Sequence, residues 1–190
     1  MKRKLLYALT IILIVCNQAC KKKEENPGPQ VTQIGDIELS TEQFVDLTDG
    51  KSYDVFAAVE NKVNIDFAYY KSLLVNNNGT DTTLKNLIAS PSALLLDGTT
   101  SPFTNATSFA PLSQGPFLTT VEDPNELKSL YDQAVSSFGG SSAVLSGIPA
   151  GVIIMFKARG NTDTPKYGGI QFNSFNADSS KVNVSITIQK

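Results

Sequence analysis

Hydrophobic and polar positions alternate most cleanly at the end of the chain, where Val182, Val184, Ile186 and Ile188 interleave with Asn183, Ser185, Thr187 and Gln189. A period of two sends the first set to one face of a strand and the second to the other, so one face should be buried and one wet. Residues 152–158 are almost continuously apolar, the pattern of a strand covered on both faces. Residues 167–172 supply a third strand, in which Gly168 and Gly169 mark a bulge or a close backbone approach. With turns at 160–163 and 176–178, these strands read as a C-terminal three-stranded meander. Upstream, residues 35–39 alternate as a first strand. Residues 44–47 run into the Asp49-Gly50 turn, and Val63, Ile65, Phe67 and Tyr69 share one face of another strand.

Period changes mark the helices. Leu127, Leu130, Tyr131, Ala134, Val135 and Phe138 recur at helical spacing behind Asp123, Pro124 and Glu126, and Gly139-Gly140 follows. This predicts an amphipathic helix over 124–138, with Asp123 and Glu126 as a capping box, Pro124 in the first turn and a left-handed glycine at its end. Its polar face is too poor in basic residues for an interfacial membrane helix, so it should dock on a sheet of its own domain. Val55, Phe56 and Val59 predict a short helix within 53–62, and residues 84–89 suggest another. Between 72 and 118, three prolines and many Ser and Thr imply irregular chain and a place to look for a binding surface. The fold class expected is mainly β: an antiparallel β-sandwich or partly open barrel with one docked amphipathic helix.

The first residues carry an address. Lys2, Arg3 and Lys4 precede an apolar run from 5 to 15, which ends at Asn17-Gln18-Ala19-Cys20 and Lys21-Lys22-Lys23-Glu24-Glu25. The run is shorter than the ~20 apolar residues a membrane-spanning helix needs, and the order is that of an export signal. It resembles a bacterial lipoprotein signal peptide, which implies cleavage after Ala19 and acylation of Cys20. The Lys-Glu-Glu that follows is similar to the surface-export signal of Bacteroidota lipoproteins and implies display on the outer face of the outer membrane, with the periplasmic leaflet as the alternative. Residues 1–19 are thus read as signal peptide, 20–33 as lipidated cysteine and flexible tether, and 34–190 as a single domain.

Cleavage alters the charge. The whole chain has 16 basic and 18 acidic residues; losing Lys2, Arg3 and Lys4 leaves 13 against 18, a net of −5. Such a chain lacks the clustered Lys and Arg that nucleic acid demands. With Cys20 acylated, no thiol and no disulfide remain in the domain, since the only other cysteine, Cys16, is removed with the signal.

Histidine is absent, which removes the commonest general base and metal ligand and every Ser-His-Asp arrangement. Two acid groupings, Asp46 with Asp49 and Glu122 with Asp123 and Glu126, would suit a carboxylate-dependent hydrolase, but a turn and a helix cap explain them better. The oxygen-rich loops at 76–81 and 173–178 lack the spacing of a calcium loop, so neither a metal nor a cofactor is expected. Tyr69, Tyr70, Tyr167 and Phe175 are the candidate ligand-binding aromatics for a glycan. Asp81-Thr82-Thr83 matches a Bacteroidota-type O-glycosylation pattern with Thr82 as acceptor.

The order VDLTDGKSYD, VNIDFAYY and a late GVIIMFKAR, KYGGIQFNSF and VNVSITIQK resembles a group of uncharacterised Bacteroidota lipoproteins. A looser similarity runs to haem-scavenging surface lipoproteins of the HmuY type. Those hold haem through His or Met pairs, and here Met155 is the only Met beyond the initiator. The expectation is a non-catalytic, surface-displayed cell-envelope lipoprotein held to the membrane by its N-terminal lipid and acting as an accessory ligand-binding module, with an extracellular glycan or an envelope protein as partner. A structural subunit of an envelope assembly is the alternative.

Overall fold

The computed structural model describes residues 30–75, 82–95, 100–113, 115, 117–158 and 164–190. The signal peptide, Cys20, the first part of the tether, the 76–81 loop and the 160–163 turn lie outside the described residues.

Ten strands form two five-stranded antiparallel sheets. In chain order they are β1 (Val31–Ser40), β2 (Gln43–Asp46), β3 (Lys51–Tyr53), β4 (Phe67–Val75), β5 (Thr82–Ala89), β6 (Thr107–Leu112), β7 (Val144–Ser146), β8 (Ile153–Ala158), β9 (Lys166–Phe175) and β10 (Lys181–Gln189). One sheet has the order β1-β10-β9-β8-β6 and the other β3-β2-β4-β5-β7. Neither closes on itself, so the expected sandwich is present and the barrel is not. The C-terminal meander β8-β9-β10 is present as read.

The main core lies between the sheets. Val182, Val184, Ile186 and Ile188 meet Phe156, Ile170 and Phe172 from the same sheet and Val45, Phe67, Tyr69 and Ile88 from the other. Each such side chain gains about 1.5–3 kcal/mol from leaving water. The alternation of β10 holds except at Thr187, which is buried because its hydroxyl donates to Leu118 O at 3.2 Å on the helix-bearing side. Gly168 and Gly169 mark close approach, not a bulge: a Cβ on Gly168 would sit 2.5 Å from Thr187 O, and one on Gly169 2.7 Å from Leu118. The register shift in this pair falls at Asn183/Val184 instead.

Helix α1 (Val55–Glu60) and helix α2 (Pro124–Phe138) flank the sheets. In α2, Leu127, Leu130, Tyr131 and Ala134 are buried and pack on Ala110, Leu112 and Met155. Gly139 caps the end at φ +81. The expected capping box is replaced by a simpler cap, in which Asp123 Oδ1 accepts from Asn125 N at 2.8 Å. Phe138, expected in the stripe, is 52 % exposed. In α1 the buried residue is Ala58, while Phe56 is 83 % exposed, so the apolar spacing misassigned the inner face.

Other elements differ from expectation for non-local reasons. β1 starts at Val31, where Val31 pairs with Gln189, so residues 31–33 belong to the domain and not to the tether. Residues 82–89 are a strand, not a short helix, because eight positions pair with β4. The strand read from Val63 begins only at Phe67; residues 61–64 turn, and Val63 is 43 % exposed. The opposite face of that strand is also covered, since Ala68 packs with Phe44, Ile65 and Phe103 in a third apolar cluster.

Candidate functional site

At the end of the sandwich remote from Val31, a cleft of about 560 Å³ opens to solvent between the two sheets. Lys71 of β4, Asn86 of β5, Ile148 and Pro149 after β7, and Phe175 and Asp178 at the β9–β10 hairpin line it. Each wall is held by its own local chemistry.

The hairpin is a polar knot. Asp178 Oδ1 accepts from Ser180 N at 3.0 Å and from its hydroxyl at 2.8 Å, Asn176 Oδ1 accepts from Lys181 N at 2.9 Å, and Ser179 takes φ +56. The Ser180 hydroxyl and amide hold the Asp178 carboxyl below the usual range. Two bonds tie the knot to the opposite sheet: the Tyr69 hydroxyl donates to Ser179 O at 2.8 Å, and the Lys71 ammonium donates to Asp178 O.

The other wall is fixed by Asn86. Its amide donates to Ile148 O at 2.8 Å while its oxygen accepts from Ile148 N at 3.0 Å, a two-point clamp on the loop. Gly147 turns that loop at φ +67, a conformation that favours glycine. On the hairpin side, the half-buried Phe175 ring is backed by Phe172 with centroids 6.0 Å apart and planes 14° from parallel. An aromatic face supported from behind, beside an ammonium and a carboxylate, suits a ring-shaped polar ligand with an apolar face.

The four candidate aromatics do not converge. Phe175 alone lines the cleft. Tyr69 is 1 % exposed and serves as a strut, its hydroxyl pushed up to about 12 by burial. Tyr70 lies on the outer face of its sheet, edge-on to Phe44 at 5.8 Å, and burial likewise pushes it up to about 12. Tyr167 sits at the other end of β9, its ring 5.5 Å from that of Tyr131. Tyr69 therefore cannot be a platform, because the core needs its ring and the hairpin its hydroxyl. Lys71, Asn86 and Asp178 escaped sequence reasoning, since nothing local signals that three distant segments meet.

Thr82 opens β5, paired with Val75, where a loop position was expected; Asp81 lies outside the described residues. Asp46 and Asp49 act apart: Asp49 bonds Lys51 at 2.6 Å, and Asp46 Oδ1 accepts from Thr48 N at 2.7 Å. The charged neighbour of Asp46 is Asp66, which the sequence did not single out. Both are buried, and Asp66 Oδ2 accepts from Leu47 N at 2.9 Å. In the 173–178 loop the oxygens serve the turn, and among the described residues no three Cys, Asp or Glu gather as metal ligands. No helix among them is long and apolar enough to cross a membrane.

No family model matches the chain, and no curated protein matches it. Among solved structures it is similar to a DUF4466 family protein from Parabacteroides merdae ATCC 43184. The TM-score is 0.53 at 15 % identity, over 84 % of this chain and 54 % of that one. The likeness is one of fold, and this chain spans about half the length of that protein. It agrees, at that level, with the resemblance to uncharacterised Bacteroidota proteins.

Proposed function

We propose that this protein is a non-catalytic, surface-displayed lipoprotein of the cell envelope, anchored through Cys20, whose domain binds an extracellular glycan in the cleft between the sheets. The observation that carries the reading is the supported ring of Phe175 at the mouth of a polar-rimmed cleft. The position of that cleft adds to it. β1 receives the chain from the tether at one end of the sheet, and β9 runs ten residues to Phe175 at the other. At about 3.3 Å per residue the mouth stands roughly 30 Å beyond the tethered end, a sensible place for a surface module to meet a polymer.

Glycan-array binding of the detergent-solubilised chain, followed by titration of the best ligand, tests the reading. Phe175→Ala is expected to weaken binding by about tenfold or more, the size of a 1.4 kcal/mol contact. A chain that binds no glycan at millimolar ligand, or a variant that binds equally well, overturns it. Mass spectrometry of native material is expected to find acyl groups on Cys20. An envelope-assembly role has one observation in its favour, the exposed Phe56, Val59 and Val63 at helical spacing on α1 and the turn after it.

A further inference from the structure

At the tethered end of the sandwich, two cations meet one aromatic ring. Ser108 of β6 stands directly across from Lys157 of β8, and Lys157 directly across from Tyr167 of β9. Helix α2 lays Lys128, Tyr131 and Asp132 over this row. The Lys128 ammonium is 5.7 Å from the centre of the Tyr167 ring and the Lys157 ammonium 5.9 Å from it. Attraction to the ring face rewards each approach by ~0.5–1 kcal/mol, but like charges around one phenol also repel. Asp132 relieves only part of this by bonding Lys128 at 2.6 Å. Lys157 has no acidic partner among the described residues, and the Tyr167 hydroxyl makes no hydrogen bond there. The scaffold is rigid: Tyr167 N donates to Gln189 Oε1 at 3.1 Å, and the Tyr131 and Ser108 hydroxyls bond each other at 2.7 Å.

We propose that Lys128, Lys157 and Tyr167 form a second binding site, separate from the cleft, for the oxyanion of a sulfate or phosphate ester. The two ammonium groups supply charge-assisted donors from a helix and a strand, and the phenol hydroxyl supplies a third. In a chain that is acidic overall, two ammonium groups drawn to one ring, only one of them held by a carboxylate, supply the charge such an anion requires. The cleft reading and this one are independent.

The test is titration of the detergent-solubilised chain, followed by backbone amide NMR, with inorganic phosphate, a sulfated monosaccharide and vesicles of phosphatidylcholine with or without phosphatidylglycerol. Amides of Lys128, Lys157 and Tyr167 are expected to shift together. Lys157→Gln and Lys128→Gln should each weaken binding about tenfold, the loss expected for a hydrogen bond to a charged group, and Lys157→Arg should retain it. Shifts with the soluble anions assign the oxyanion to a free ester. Shifts confined to phosphatidylglycerol vesicles, lost in Lys157→Gln, assign it to a lipid headgroup. Shifts scattered over other lysines, or affinities unmoved by both Gln variants, overturn the proposal.

Discussion

Replacing Asp66 by Asn should stabilise the protein at neutral pH and leave it unchanged in acid. Asp66 is 6 % exposed, and burial pushes its carboxyl from an ordinary 3.8 up to about 6, with the Asp46 charge adding to the rise; the Leu47 amide and the Lys166 charge oppose it. Below pH 3.8 both folded and unfolded chains hold the proton. Between there and about 6 the folded state keeps a proton that the unfolded chain has released, so stability falls as pH rises through this window and stays low above it. The interval is about two pH units at 1.36 kcal/mol each, which sets the cost of the ionised group at about 3 kcal/mol by neutral pH. Asn mimics the protonated acid and its oxygen can still accept from Leu47 N, now at 2.9 Å. Urea unfolding of both proteins from about pH 4 to about pH 8 measures the difference, and the subtraction cancels the titrating groups that do not interact with Asp66. The expected difference is small but already rising at about pH 4, where the unfolded Asp66 has begun to ionise, and reaches as much as about 3 kcal/mol in favour of the Asp66→Asn variant by about pH 7. A difference that does not vary with pH, or a variant weaker than the parent at neutral pH, refutes the reasoning.

Three further variants probe packing and ties. Gly168→Ala forces a Cβ to within 2.5 Å of Thr187 O, so the urea midpoint should fall by the equivalent of about 1–3 kcal/mol. Asn105→Ala deletes two bonds of 2.8 Å, to Val63 O and Ile65 O, that hold the turn before β4; a loss of about 2 kcal/mol is expected, with faster amide exchange confined to 61–66. Tyr69→Phe removes only the strut to Ser179 O. It should cost about 1 kcal/mol in the same unfolding assay, quicken exchange in the 176–181 hairpin and weaken binding in the cleft while leaving the Tyr167 site untouched.

Legibility followed the range of the interaction. Helix α2 could be read to the residue because its start, stripe and stop are local: Asp123, Pro124, the buried leucines and Gly139 all lie within one stretch. The meander was legible because hairpins join neighbours in sequence. β6 was not, since Pro111 argued against a strand; it is tolerated because β6 is the edge strand of its sheet, its outer side bridged at Phe109 to Ser142 and not at Pro111. β5 looked helical over 84–89 until pairing with β4 overrode propensity. At the candidate site, Phe175 was found by residue type and position, whereas Lys71, Asn86 and Asp178 join it only through contacts between the sheets.

The pairing of β1 with β10 accounts for how the two ends of the molecule differ. It sets the entry of the chain, at Val31, beside Gln189, and the hairpin that closes the cleft begins where β9 has run its full length away from that row. Sliding β1 by one residue would turn Leu39, with Ile34 and Ile37, out of the core between the sheets and take Val31 away from the cluster under α2, so the register is fixed by the core and not by the tether. The bulge at Gly35 and Asp36, where Asp36 takes φ +47, absorbs an extra residue without disturbing the pairs on either side. The separation between tethered end and cleft is therefore built into strand length and register. Changing the tether should alter reach alone, whereas changing the core pattern of β1 should alter the fold.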